Sequence, residues 1–194
     1  MCNANPASFN LEKGMLLKSA GCDDLRFGVE SGSERVKREV MDRPVTNQSV
    51  KNAFTIAREL GLMTSSFNMI GLPTETREEV LETFRLNAAI LPDTVKVMTF
   101  YPFKNTPLYD LSVRLGLIDY SRKIGLDNYD TDTCLKLTRG TAFSLRKRRL
   151  LSTGISICSS ITRRPGITRG LCLRLKGCRK KSGMNTISPE PTGR

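Results

Sequence analysis

The sequence predicts an α/β protein, a set of parallel strands with covering helices over residues 1–118, followed by an irregular basic C-terminal tail. Three observations predict it. Apolar residues switch repeatedly between helical and strand-like spacing. Strand-like runs begin near residues 25, 63 and 94 with helical stretches between them, the order of right-handed βαβ units. Charge is divided unevenly: residues 1–140 hold 18 Lys+Arg and 18 Asp+Glu, whereas residues 141–194 hold 13 Lys+Arg and one acid, Glu190. The net charge of +12 therefore belongs to the last 54 residues alone.

The elements follow in order. Leu11 to Ala20 places Leu11, Met15, Leu16 and Leu17 among lysines, an amphipathic helix stopped by Gly21. Leu25–Val29 reads as a short strand. Ser33 can cap a helix through about Val40, and Arg43-Pro44 breaks it. Thr46 or Asn47 caps the next helix, with Val50, Phe54, Ala57 and Leu60 on one face and Gly61 at its end. Leu62–Ile70 is a strand ending in Gly71-Leu72-Pro73. Thr76 and Glu79 have capping-box spacing ahead of a helix to about Ile90. Thr94–Phe100 is a strand, and Thr106-Pro107 opens a last helix to about Leu115. So few strands suit a small doubly wound sheet or part of a larger barrel, since a closed (β/α)8 barrel needs about 250 residues.

Composition narrows the function. There is no His, which excludes Ser-His-Asp and Cys-His catalysis and any His-containing zinc site. No apolar run is long enough for a membrane span, and Met1–Pro6 has neither the basic nor the apolar region of a signal peptide. Cysteines at 2, 22, 134, 158, 172 and 178 form no CxxC or CxxxCxxC pattern, and read as reduced thiols of a cytoplasmic protein.

In parallel α/β architectures ligands bind at the carboxyl ends of the strands, and the unusual residues gather there. The first run leads into Gly28-Val29-Glu30-Ser31-Gly32-Ser33. A carboxylate at the end of an apolar strand has to be solvated, paired or bound. Glu30 can take both hydroxyls of a ribose diol; equally it can cap the following helix or pair with Arg26 or Arg43. Arg43 can return to the strand ends and hold a ligand carboxylate, or stand as a solvated surface charge. Gly28, Gly32 and Gly71 allow either close approach to a ligand or plain turns.

These blocks carry a resemblance. Ala20-Gly21-Cys22, Phe27 to Ser33 with Met41-Asp42-Arg43, Asn68 to Thr76, and Phe100-Tyr101-Pro102-Phe103 with Thr106 to Tyr109 stand in one order and spacing. In that order residues 1–118 resemble the C-terminal part of a radical S-adenosylmethionine (SAM) barrel, of the branch often fused to a cobalamin-binding domain. The resemblance implies a partial (β/α) barrel and these cofactor-binding roles. Glu30, in its Glu30-Ser31 block, binds the SAM ribose, and Arg43 binds the SAM carboxylate. Backbone near Met69 and Ile70, with Gly71 leaving room, lies against the adenine, and Tyr101 lies by adenine and substrate. Intact relatives hold a 4Fe-4S cluster on a CxxxCxxC loop and generate a 5′-deoxyadenosyl radical for hydrogen abstraction or methyl transfer. Cobalamin is a further possible cofactor. The CxxxCxxC loop and the Gly-Gly-Glu block of the second barrel strand are absent from this sequence. The expectation is therefore a piece of such an enzyme with part of the SAM and substrate site, inactive alone, its other half on a separate chain or upstream. The substrate is unknown.

Residues 119–140 form a transition segment. In the tail, Arg146–Arg149 and Arg179-Lys180-Lys181 are basic clusters with Phe143 as the one aromatic, so there is no interleaved stacking platform. Three readings stand beside each other: a nucleic-acid-binding tail acting by charge, a solvated disordered tail, and translation in a wrong frame, which would lose acids as abruptly as this. The first is the rival function, a non-catalytic basic nucleic-acid-binding protein.

Overall fold

The computed structural model describes residues 1–122 and 133–136; the basic tail and most of the transition segment lie outside the described residues. Strands β1 (Cys2–Ala4), β2 (Asp24–Glu30), β3 (Met63–Ile70) and β4 (Thr94–Thr99) form one parallel sheet. Helices α1 (Leu11–Ser19), α2 (Asn47–Glu59), α3 (Arg77–Ile90) and α4 (Pro107–Arg114) follow the strands in turn. Strand order is β1-β2-β3-β4. That order decides between the two architectures the sequence left open. A doubly wound sheet reverses direction at a switch point, whereas a barrel lays each strand beside the last. The sheet is an arc of a (β/α) barrel.

Local chemistry explains the helix starts. Asn10, Thr46, Thr76 and Thr106 each accept a hydrogen bond from the backbone three residues on. Thr76 and Glu79 form a full capping box. Pro107 takes the first turn of α4, where its missing N–H costs nothing.

The two faces of the sheet differ. On the helix side, Leu25, Phe27 and Val29 of β2 are buried against Val50, Ala53, Phe54 and Ala57 of α2 and Leu86 and Ile90 of α3. Phe27 meets Phe9 edge-on at 5.1 Å and Phe54 at 4.8 Å. The same side of β3 carries Thr64, Ser66 and Asn68, all buried. They are satisfied internally: Ser66 donates to Asn87 Oδ1 at 2.5 Å and Asn87 donates to Asn68 Oδ1 at 2.8 Å. A buried polar seam of this kind stays folded because its members are paired. On the face away from the helices, Gly28, Phe67 and Lys96 share one row, with Met69 and Met98 in the next.

Two elements differ from expectation. The helix expected after Ser33 is a π-helical segment over Val36–Val40, although Ser33 does cap it, accepting from the Val36 amide at 3.2 Å. In α1 most of the apolar residues face outward, and Leu17 alone packs against the core. Leu11, Met15 and Leu16 are more than half exposed, and Gly14 is the buried position, where a Cβ would meet Leu60 Cδ1 at 2.5 Å. Gly14 lets α1 approach α2 closely, and most of the apolar stripe is left facing away from the core.

Among the described residues nothing pairs with the outer edges of β1 and β4. Unpaired edges beside exposed Leu11, Met15 and Leu16 favour edge-to-edge association. Light scattering on the purified chain should therefore show dimers or larger species at micromolar concentration; a clean monomer would contradict this.

Candidate functional site

The site lies where β2, β3 and β4 end. Glu30 closes β2 in a left-handed conformation, φ 66°, uncommon for a residue with a side chain. The Ser31 amide folds back to the Val29 carbonyl at 2.9 Å, making a three-residue turn centred on Glu30. Pairing with β3 shifts register between Gly28 and Glu30, which re-aims the carboxylate. Backbone held in this region costs about 1–3 kcal/mol and persists where the surroundings fix it.

Arg43 is what fixes it. The π-helical segment ends with the Arg43 amide donating to the Lys37 carbonyl at 2.8 Å, and this carries the side chain back over the strand end. Arg43 Nη1 donates to Glu30 Oε1 at 2.8 Å, and Nη2 donates to the Gly28 carbonyl at 3.3 Å. Gly28 leaves room beneath them: a Cβ there would lie 2.5 Å from Glu30 Oε1 and 3.1 Å from Arg43 Nη2, the ends of both side chains. Burial raises the Glu30 carboxyl above its ordinary value, and Arg43 offsets part of that rise. Of the partners open to Glu30 in the sequence, Arg43 is the one found; Arg26 pairs instead with Asp24 at 3.5 Å.

The remaining predicted residues divide by what their atoms already do. Ser31 is fully buried, its hydroxyl 3.4 Å from Thr83 Oγ1 and accepting from the Ser33 amide, so its side chain shapes the loop. The Ile70 side chain is fully buried and its carbonyl accepts from the Phe100 amide at 2.8 Å. Gly71, φ 83°, does not present a bare peptide edge: its amide donates to Glu75 Oε2 at 2.6 Å, and Leu72 donates to the same oxygen. Met69 and Tyr101 are half-buried and line a cavity of about 500 Å³ with Met41, Met98 and Phe103. Tyr101 packs on Phe103 at 5.0 Å, and Asp42, next to Arg43, is another lining residue.

Two acids that the sequence reading did not place in the site organise the loops. Glu75 is 3 % exposed, and burial pushes its carboxyl up to about 7 despite the Gly71 and Leu72 amides. Glu79, legible only as a capping-box partner, also accepts from Arg35 Nε at 2.7 Å and Arg35 Nη2 at 2.9 Å. That pairing holds its carboxyl down at about 2.

A 4Fe-4S cluster does not fit the described residues. Cys2, Cys22 and Cys134 are free, and no group of three or more His, Cys, Asp or Glu among the described residues could hold a metal.

The described residues form a segment of a parallel (β/α) barrel with an acid–guanidinium pair over a glycine at its strand ends. The family comparison is more specific: residues 1–86 match the model of the Radical SAM superfamily. An uncharacterized methyltransferase of Pyrococcus horikoshii is 30% identical over 111 residues, which cover 57% of this chain and 24% of that protein. Coproporphyrinogen III oxidase (HemN) from Escherichia coli, a radical SAM enzyme, superposes with a TM-score of 0.58 at 18% identity, over 80% of this chain and 32% of that one. The radical SAM methyltransferase TsrM from Kitasatospora setae, solved with cobalamin and a 4Fe-4S cluster bound, is similar at 22% identity over 50% of this chain and 19% of that one, TM-score 0.45. The chain spans about a quarter of the length of the curated methyltransferase it matches.

Proposed function

We propose that this chain carries the SAM-gripping side of a radical SAM site. Glu30 accepts the ribose hydroxyls, Arg43 takes the carboxylate, and Met69, the Ile70–Gly71 backbone and Tyr101 face the adenine. The observation that supports this most is the strained Glu30 turn held by Arg43 at 2.8 Å over Gly28, where a Cβ would crowd the ends of both side chains. A plain structural ion pair does not need a left-handed glutamate. The cavity walled by Met41, Met69, Met98, Tyr101 and Phe103 suits a flat, weakly polar ring, because thioethers and aromatic rings pack well against one.

Without ligand, Glu30 and Arg43 satisfy each other. Binding exchanges that internal pair for hydroxyl donors on one side and a carboxylate on the other, so neither buried group is left without a partner. When bound, SAM supplies the adenosyl or methyl carbon for hydrogen abstraction or methyl transfer. A cluster serving this site would be held outside the described residues, and Tyr101 would lie by the substrate.

Equilibrium dialysis with labelled SAM tests this. The wild-type chain should retain SAM, and Glu30→Ala should reduce retention at least tenfold, the equivalent of about 1.4 kcal/mol. Equal retention by both would exclude the site.

A further inference from the structure

Arg35 and Glu79 line neither the cavity nor the Glu30–Arg43 pair, yet they join the two loops that make the site. Arg35 belongs to the segment that follows Glu30 at the end of β2. Its guanidinium spans three acceptors: Glu79 Oε1 at 2.7 Å, Glu79 Oε2 at 2.9 Å and the Thr74 carbonyl at 3.3 Å. Glu79 divides its oxygens between the loops. Oε1 accepts from Ser33 Oγ at 3.0 Å as well as from Arg35. Oε2 accepts from the Thr76 amide at 2.8 Å and the Thr76 hydroxyl at 2.9 Å. Between Thr74 and Thr76 stands Glu75, which holds the Gly71 and Leu72 amides.

We infer that Arg35 is a positioning residue: acting through Glu79 and the Thr74 carbonyl, it fixes the loop carrying Glu30 against the turn carrying Gly71, and so sets the span across which an adenosyl ligand is held. This rests on the SAM reading of the site. A planar fork with donors in fixed directions can meet three acceptors at once, and a lysine ammonium at the same place cannot. Displacing Thr74 displaces Glu75, and with it the Gly71 amide. Losing one hydrogen bond to a charged group of the ligand costs about 10- to 100-fold in affinity.

Ligands of different reach separate positioning from general stability. SAM spans both loops, whereas adenine alone engages only the β3 side. NMR titration of the full chain should show SAM affinity falling about 10- to 100-fold in Arg35→Lys and Arg35→Gln, with adenine affinity within about twofold of wild type. Amide exchange at Gly71 and Leu72 should quicken about tenfold in Arg35→Lys. Should Arg35→Gln fail to fold, Arg35→Lys, which keeps the charge, decides alone. Unchanged SAM affinity, or equal losses for SAM and adenine, would overturn the inference. If the wild type binds no SAM, the site reading falls instead, and the exchange rates then decide: Gly71 and Leu72 exchanging as in wild type would overturn the role of Arg35.

Discussion

Gly32→Ala is expected to abolish the native fold, with a loss of at least about 3 kcal/mol. A Cβ at Gly32 would lie 2.3 Å from the carbonyl carbon and oxygen of Glu82 and 2.4 Å from the Thr83 amide nitrogen. All three are backbone atoms of α3, so no rotamer change relieves the clash. Withdrawing α3 would break the Gly32 amide bond to Thr83 Oγ1 and the Glu79 network, and open the core around Val80. Two other glycines set the scale. At Gly14 the clash is with Leu60 Cδ1, the far end of a flexible side chain, so Gly14→Ala should cost less. Gly116 has open space around it, and Gly116→Ala should cost only the strain of its φ of 63°, about 1 kcal/mol. Urea unfolding of the three variants checks the order Gly32, Gly14, Gly116; a native-like Gly32→Ala would contradict the packing described.

Stability should peak near pH 4–5 and fall as pH rises through 7. Burial chiefly raises the Glu75 carboxyl to about 7, with Glu79 adding to the rise and the Gly71 and Leu72 amides and Arg35 opposing it. Folding therefore favours the protonated acid. Its contribution is complete below the unfolded value near 4.5 and is lost as pH climbs through 7, an amount on the order of 3 kcal/mol. Glu79 acts in the opposite sense. Held at about 2 first by Arg35, it stabilises above the unfolded value and stops doing so as pH falls through 2. Glu30, also raised by burial, adds to the decline on the alkaline side. The chain has no His, so no imidazole titrates in that window. Urea midpoints from pH 4 to 8 should decline in wild type above pH 5 and much less in Glu75→Gln. Equal declines in both would remove Glu75 as the cause.

Much of the barrel segment was legible because its signals are local. Alternating Leu25, Phe27 and Val29 marks β2, and Thr46, Thr76 and Thr106 mark helix starts through their own hydroxyls. What was not legible depends on distant partners. Thr64, Ser66 and Asn68 look solvent-facing in sequence, but Asn87 and Asp93 satisfy them from α3 and the loop after it. The π-helical turn at Val36–Val40 has no local signature, yet its extra residue is what brings Arg43 to Glu30. Glu30 and Arg43 could be named as candidates; their pairing could not be separated from other partners until the backbone between them was known. Arg35 was passed over because its three acceptors lie 39 and 44 residues further along the chain.

Whether the strand ends of β2 and β3 hold an adenosyl ligand together is read most directly from amide shifts of the full chain titrated with SAM. The largest changes should fall on Gly28, Glu30 and Met69–Gly71, saturating together with one affinity. Changes confined to β1 and α1, or no changes at all up to millimolar SAM, would contradict it.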